Sequence, residues 1–429
     1  MGLPIGLVLA GLAWYHYQQL TIPLWRIPVI AVSFVWLVVT LLLAHLYRPK
    51  RGPVPNLNVS LVIPSKNEDP TMLRAMLASI DRQTVLPNAV YLIENGDTNG
   101  EARLIFNEWA QQTAVRRPKF MYNPNPGKRL AQAMAFAYER DNVPINEKAH
   151  VFMTIDGDVQ LEPNTTRNGL MPFNDDKVMS VAGLLLGLNR AKNFLTRVVD
   201  IGFVSSFVNG RASWSRLNSV AVNCGGLAFY RSWVVWKYLD EYLSQTIMGK
   251  LASSGDDRML TGYCALEGKT VYQETSVAFT LLPVNVSHLG RQRARWWRSF
   301  WWGGLWLIRR FSPTRAIWWL VLSQYFTFAL YTVMIPLILI VDPILNAQFP
   351  WIFFLYISGL SYIRAARTLI VRRPDQSTWD HVLSYILLAP LVTLINLWLC
   401  TFLQLWGLVT FYVTGWRTRQ KVEVGLQTT

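Results

Sequence analysis

The sequence predicts an α/β domain built on a mixed, mainly parallel sheet and inserted between the transmembrane helices of a multi-pass membrane protein. Three observations predict it. From Asn58 onward, short β-branched runs alternate with helical spacings, the pattern of a sheet joined by crossover helices. Apolar stretches of spanning length lie on both sides of that region. Basic residues collect beside those stretches, at Arg48, Lys50, Arg51, Arg309, Arg310, Arg372, Arg373, Arg417 and Arg419, which is cytosolic-side placement.

Composition narrows the classes. With 429 residues, 52% of them hydrophobic, the chain holds one globular domain plus several membrane spans and is not a simple soluble protein. The net charge of +15 suits anionic lipid or an anionic substrate. Nucleic acid is not an expected partner, because the aromatic clusters are flanked by apolar residues and not interleaved with Lys and Arg. Cys224, Cys264 and Cys400 are widely spaced and have no C-x-x-C or His partners, so neither a disulfide framework nor a zinc site is indicated.

In chain order, residues 3 to 22 and 27 to 46 are apolar runs separated by Pro23 and Arg26, and the second is long enough to span. The first charged residue is Arg26, so the usual basic leader region is missing, which argues against a cleavable signal peptide. Residues 1–47 therefore read as a transmembrane hairpin and 48–57 as a cytosolic Pro/Gly linker. A catalytic α/β domain is expected over 58–290. VSLVIPS (59–65), AVYLIEN (89–95) and HVFMTID (150–156) read as buried strands, Thr71–Gln83 and Lys128–Glu139 as helices, and 178–188 and 219–230 as further strands. Ligands of parallel sheets sit beyond the carboxyl ends of the strands. Ser65, Lys66, Asn67 and Glu68 fall there, as do Glu94, Asn95, Gly96 and Asp97.

Residues 291–314 carry RQRARWWRSFWWGG and read as an amphipathic helix at the bilayer surface, where tryptophan is at home. Residues 315–415 hold the apolar runs 316 to 341, 349 to 363 and 382 to 414. The last is one tilted helix or two, with Pro390 a candidate break. A cytosolic tail over 416–429 requires an even number of spans after the catalytic domain.

Three constellations carry candidate chemistry. Asp156-Gly157-Asp158 closes a strand with two carboxylates that would repel without a cation, and hard oxygens of this kind suit Mg2+ or Mn2+ shared with a substrate diphosphate. In Ser254-Gly-Asp-Asp-Arg-Met-Leu-Thr261, Asp256 is either a helix cap or a site residue, and Asp257 is placed to act as general base on an acceptor hydroxyl. Gln292, Arg295 and Trp296 have the spacing Q-x-x-R-W, in which a cation clamps phosphate and an indole stacks on a sugar ring.

These motifs resemble the membrane-embedded, processive family 2 glycosyltransferases, with hyaluronan synthases and nodulation-type chitin-oligosaccharide synthases nearest. The resemblance covers roughly 58 to 302, and its parts occur in the family order: IPSKNE, Glu94, Gly127-Lys128-Arg129, Asp156-Gly-Asp158, Cys224-Gly-Gly226, Gly255-Asp-Asp-Arg258 and Gln292-Arg-Ala-Arg-Trp296. Trp416-Arg-Thr-Arg419 is similar to the W-G-T-R of hyaluronan synthases. The resemblance implies a GT-A type domain on the cytosolic face of the plasma membrane. Glu94 and Lys128 would contact the nucleotide, and Asp158, with Asp156, the metal and diphosphate. Asp257, beside Asp256, would be the base. Gln292, Arg295 and Trp296 would hold diphosphate and acceptor, with Gly226 on the acceptor side. Ser65, Asn67, Glu68, Trp416 and Arg419 complete the expected substrate contacts. Where the family has Asp-Asp-Gly-Ser this chain has Glu94-Asn95-Gly96-Asp97. Met259 replaces a frequent His, and Arg417 replaces the glycine of W-G-T-R. The implied reaction is inverting polymerisation from UDP-N-acetylglucosamine, UDP-glucuronate or UDP-glucose onto a growing glycan acceptor at the lipid bilayer. The alternative is single transfer to a lipid carrier.

Overall fold

The computed structural model describes residues 27–96, 100–125, 127–144, 146–252, 254–346, 350–397 and 401–413. The apolar run 3 to 22, Asp97, Cys400, Trp416 and Arg419 lie outside them.

The core is an eight-stranded sheet. Its strands are β1 (Asn58–Ser65), β2 (Ala89–Asn95), β3 (Arg117–Asn123), β4 (His150–Thr154), β5 (Gln160–Leu161), β6 (Val178–Gly187) and β7 (Ala228–Arg231); β8 (Thr246–Ile247) and β9 (Lys250–Leu251) form a separate ribbon, and β10 (Lys269–Thr280) returns to the main sheet. The order is β3-β2-β1-β4-β7-β6-β10-β5. β3, β2, β1 and β4 run parallel, as do β6 and β10, while β7 and β5 run against their neighbours.

The central strands are near-continuous apolar runs because both faces are covered. Alternate residues of β1 enter different cores: Leu61 and Ile63 pack with Met153, Phe203 and Phe207, whereas Val62 packs with Tyr91, Phe136 and Tyr230. After β1 the chain turns into the helix Pro70–Asp81, whose first amides (Thr71, Met72) are capped by the Asp69 carboxylate. The run 219 to 230 is shorter as a strand than its composition suggests. Ala228–Arg231 pairs as a strand, Ser219 makes a single bridge to Thr270 of β10, and Cys224 to Leu227 forms a tight turn between them.

Outside the sheet, the helices Ile27–Leu46, Ala316–Pro336, Trp351–Ala365, Thr378–Ile395 and Thr401–Val409 present apolar side chains outward, among them Phe34, Leu42, Phe326, Leu387 and Phe402. Two stretches are long and apolar enough to cross a bilayer, Ala316–Leu345 and Thr378–Ile395. Pro390 lies inside the second and does not end it.

The Trp-rich segment departs from the sequence expectation. Its helix begins at Val286, because the Asn285 side chain accepts from the His288 amide, and part of its aromatic face is internal. Trp301 stacks on Tyr325 (5.1 Å, 21°) and donates its indole N–H to the Gln404 carbonyl at 3.0 Å. Trp302 packs beneath the Arg129 guanidinium, 5.2 Å from its ring centroid. Both rings pack against protein partners that the sequence could not name, so the helix is a wedge between the sheet domain and the apolar helices.

Candidate active site

The carboxyl ends of β1, β4 and β6 open into a cavity of about 670 Å3, closed on the far side by the helix Val286–Arg310. Asp156 and Asp158 reach it from the turn after β4. Gly157 between them is required by close approach, since a Cβ there would lie 2.8 Å from the Glu68 side chain. Asp158 accepts from the Thr280 hydroxyl at the end of β10, at 3.4 Å.

Lys128, the first residue of the helix Lys128–Asn142, joins two constellations that the sequence presents separately. Its Nζ stands 2.7 Å from Asp156 Oδ1 and 3.1 Å from Asp256 Oδ2. Gly225 lies directly against the ammonium, where a Cβ would sit 2.8 Å from Nζ. Burial alone would push this amine's pKa down; the carboxylates of Asp156 and Asp256 prevail and hold it above the ordinary lysine value.

Asp256 is not the cap of its helix. The N-cap is Gly255, left-handed at φ 71°, and Asp256 instead engages Lys128 and accepts from Gln132 at 3.2 Å. Asp257 accepts from the Arg258 amide at 2.8 Å. Burial and then the neighbouring Asp256 charge raise its carboxyl pKa, against the opposing pull of Lys128 and Arg258.

Gln292, Arg295 and Trp296 sit at i, i+3 and i+4 on one helix and all line the cavity. Trp296 faces Phe203 in a near-parallel stack (6.3 Å, 20°). The cation over its indole is Arg293, three residues earlier, at 4.6 Å, and Arg295 lines the same cavity.

Glu68 and Gly226 line the cavity as well, whereas Ser65, Asn67 and Glu94 do not. Ser65 and Glu94 are register partners at the ends of β1 and β2, and the Asn67 amide donates to Glu94 Oε1 at 3.4 Å. Ser65 and Glu94 are buried beside the cavity, and Asn67 is exposed.

Sequence reasoning missed Asn189, Lys192, Phe203 and Arg211, which complete the wall. Phe203 comes from the helix Phe194–Ser205, and the following segment Ser206–Arg211 is a π-helical turn that re-aims the next residues. Arg211 stacks on Phe207 at 4.0 Å. No residue-type signal marks that turn.

The sequence matches the Glycosyl transferase family 2 profile over residues 60–239. A hyaluronan synthase of Streptococcus pyogenes is 31% identical over 425 residues, covering 97% of this chain and 95% of that protein. The chain belongs to glycosyl transferase family 2. An N-acetylglucosaminyltransferase of Neorhizobium galegae is 30% identical over 245 residues, 56% of this chain and 54% of that one. Among solved structures, a mannosyltransferase from Pyrobaculum calidifontis, in complex with GDP-Man and Mn2+, shares the fold with a TM-score of 0.53 at 17% identity, over 87% of this chain and 99% of its own.

For a family 2 glycosyltransferase the cavity has suitable chemistry. Two hard-oxygen carboxylates, Asp156 and Asp158, line it, the first 2.7 Å from the Lys128 ammonium. Among the described residues no cluster of three or more His, Cys, Asp or Glu could hold a metal alone. That donor set fits a divalent ion that shares its shell with diphosphate and water, and does not fit a permanently caged one.

Proposed function

We propose that this glycosyltransferase polymerises sugars from UDP-sugar donors by inverting transfer, retaining the growing chain between additions, as a polysaccharide synthase of the hyaluronan- or chitin-producing kind. The observation that carries the reading is that one cavity joins the Asp156/Asp158 pair, Asp257 and the Gln292/Arg295/Trp296 face. The similarity to hyaluronan synthase over nearly the whole chain supports it.

Asp156 and Asp158 offer oxygens to Mg2+ or Mn2+, which when bound supplies charge neutralisation for a departing diphosphate. Lys128 and Arg295 add fixed positive charge on the same side. The acceptor hydroxyl attacks the anomeric carbon from the opposite face, its proton passes to the Asp257 carboxylate, and the bond to the phosphate oxygen breaks with its electron pair leaving on UDP. A single displacement with a single base inverts the anomeric centre. A base with a raised pKa takes the proton more readily as the bond forms. Trp296 and Phe203 give the terminal sugar an apolar surface.

The reading places the protein in the plasma membrane with several spans and its catalytic domain in the cytosol. Arg373, between the helices Trp351–Ala365 and Thr378–Ile395, bonds the sheet domain, and Thr410 accepts from Arg298 at 2.9 Å. Both points lie on the domain side, consistent with an even number of crossings. The test is incubation of membranes containing the protein with single and paired UDP-sugars and Mg2+ or Mn2+, reading UDP release and product size. Long products support the reading; single additions to lipid overturn it.

A further inference from the structure

Behind the acceptor wall lies a buried ionic cluster that no step of the reaction uses. Asp200, 4% exposed, sits on the helix Phe194–Ser205. Arg373, 9% exposed, comes from the connection between two apolar helices, 173 residues away. Its Nη1 reaches both Asp200 oxygens at 2.9 Å, its Nη2 donates to the Gly187 carbonyl at 2.5 Å, and Asp375 accepts from the same guanidinium at 3.1 Å. Arg190 stands 3.6 Å from Asp200 and carries the cluster on to Asp380 (2.7 Å) and Ser384 (2.8 Å) of the helix Thr378–Ile395.

The clasp touches the two elements that build the acceptor side of the cavity. Val199 and Phe203, flanking Asp200 on its helix, line the cavity, and Phe203 stacks on Trp296. Gly187 ends β6, whose Leu185 lines the cavity, and Asn189 follows two residues later. One planar guanidinium thus fixes the helix through its carboxylate and the strand end through its carbonyl. Lysine, a point charge without a fork, cannot hold both in register. A less demanding docking contact would not need a buried carboxylate gripped by both oxygens.

We propose that Arg373 is a positioning residue for the acceptor: the Arg373–Asp200 clasp transmits the placement of the apolar helices to the Phe203/Trp296 wall and so sets how long the growing glycan is retained. This rests on the processive reading above. Loosening the clasp lets Phe203 withdraw from Trp296 without touching Asp156, Asp158, Lys128 or Asp257, so chain retention suffers and donor use does not.

The test uses the full-length protein in membranes, with product length read at matched UDP release and donor KM measured alongside. Arg373→Gln is expected to shorten the product at least three-fold with donor KM within two-fold of wild type. Arg373→Lys, which keeps the charge and is the safer folder, is expected to shorten it about two-fold. Glu139→Gln, which breaks a buried network remote from this wall, serves as the stability control and should leave length unchanged. Wild-type length in both Arg373 variants, or equal shortening in Glu139→Gln, overturns the clasp while leaving polymerisation intact. A wild-type enzyme that makes only single additions overturns both readings.

Discussion

Replacing Lys128 with Met removes one cation from the middle of three carboxylates. Its Nζ lies 2.7 Å from Asp156 and 3.1 Å from Asp256, gross attractions of about 6 and 5 kcal/mol at an effective dielectric of about 20. Desolvation of a side chain only 11% exposed offsets most of this, and truncating one partner of such a buried pair typically costs about 3 kcal/mol net. The informative consequence is directional. Lys128 is the foremost influence holding the Asp257 pKa down against burial and Asp256, so its loss pushes that carboxyl higher. A base must be unprotonated to act, so the acid limb of the pH–rate profile moves to higher pH, and transfer at neutral pH falls by about 10²-fold. Initial UDP release at saturating donor, measured across pH for wild type and Lys128→Met, gives the limb directly. An acid limb that stays in place or moves to lower pH would refute the electrostatic link between the donor side and the base.

Asp257→Asn keeps size and hydrogen bonding but cannot take a proton; donor affinity should hold within a few-fold while transfer drops by roughly 10²-fold or more, read by donor titration and single-turnover rates. Chelation of divalent ions should abolish UDP release, and undiminished release in EDTA would remove the metal role from Asp156 and Asp158. Trp296→Ala should shorten product at matched turnover, because an aromatic contact of about 1 kcal/mol shifts release against extension several-fold. Trp301→Ala, which empties the contact with Tyr325 and Phe328, should cost about 3 kcal/mol of stability and lower the yield of folded protein. Glu139 accepts from Arg117 and Ser60, each at 2.7 Å, and from Tyr91, with His150 adjacent. Burial opposes its ionisation, but the hydrogen bonds from these partners win and hold it at about 2, below the ordinary 4.5. Its contribution, about 2 kcal/mol after allowance for water at half-open Arg117, is present above pH 4.5 and lost as pH falls towards 2. Glu139→Gln should flatten the acid-denaturation profile in that window.

What was legible in the sequence follows from what is local. β1, β2 and β4 are buried on both faces, so their apolar runs stand out, and Asp156-Gly-Asp158 closes the last of them within a few residues. The cavity-facing set Gln292, Arg295 and Trp296 follows from helix geometry alone. What was hidden depends on partners far away in the chain. Asp256 reads equally as a cap or a site residue until Lys128 and Gln132 are seen beside it. Phe203 reaches the cavity from the helix Phe194–Ser205, and Arg211 through the π turn that follows it, which has no residue signature. Asp200 and Arg373 meet across 173 residues, and nothing near either one announces the other.

The same division explains why the Trp-rich helix looked like a membrane belt. Apolar bulk in a basic setting fits both an interface and a packed wedge, and composition does not separate them. The glycines do. Gly303 and Gly304 are consecutive, about 100° apart around the helix. A Cβ on the first would lie 2.5 Å from the Arg258 side chain, and on the second 2.4 Å from the Tyr325 hydroxyl. One glycine therefore lets the helix approach the element that carries Asp257, and the next lets it approach the apolar helix Ala316–Pro336. Gln292 lies about 18 Å back along the same rod at 1.5 Å per residue. The helix thus carries the cavity face at one end and both close contacts at the other. A displacement of the Ala316–Pro336 helix must move the Trp296 face, the Arg258 contact, or both. That rigid link, more than membrane affinity of the tryptophans, is the physical reason for building the segment from large rings and two adjacent glycines.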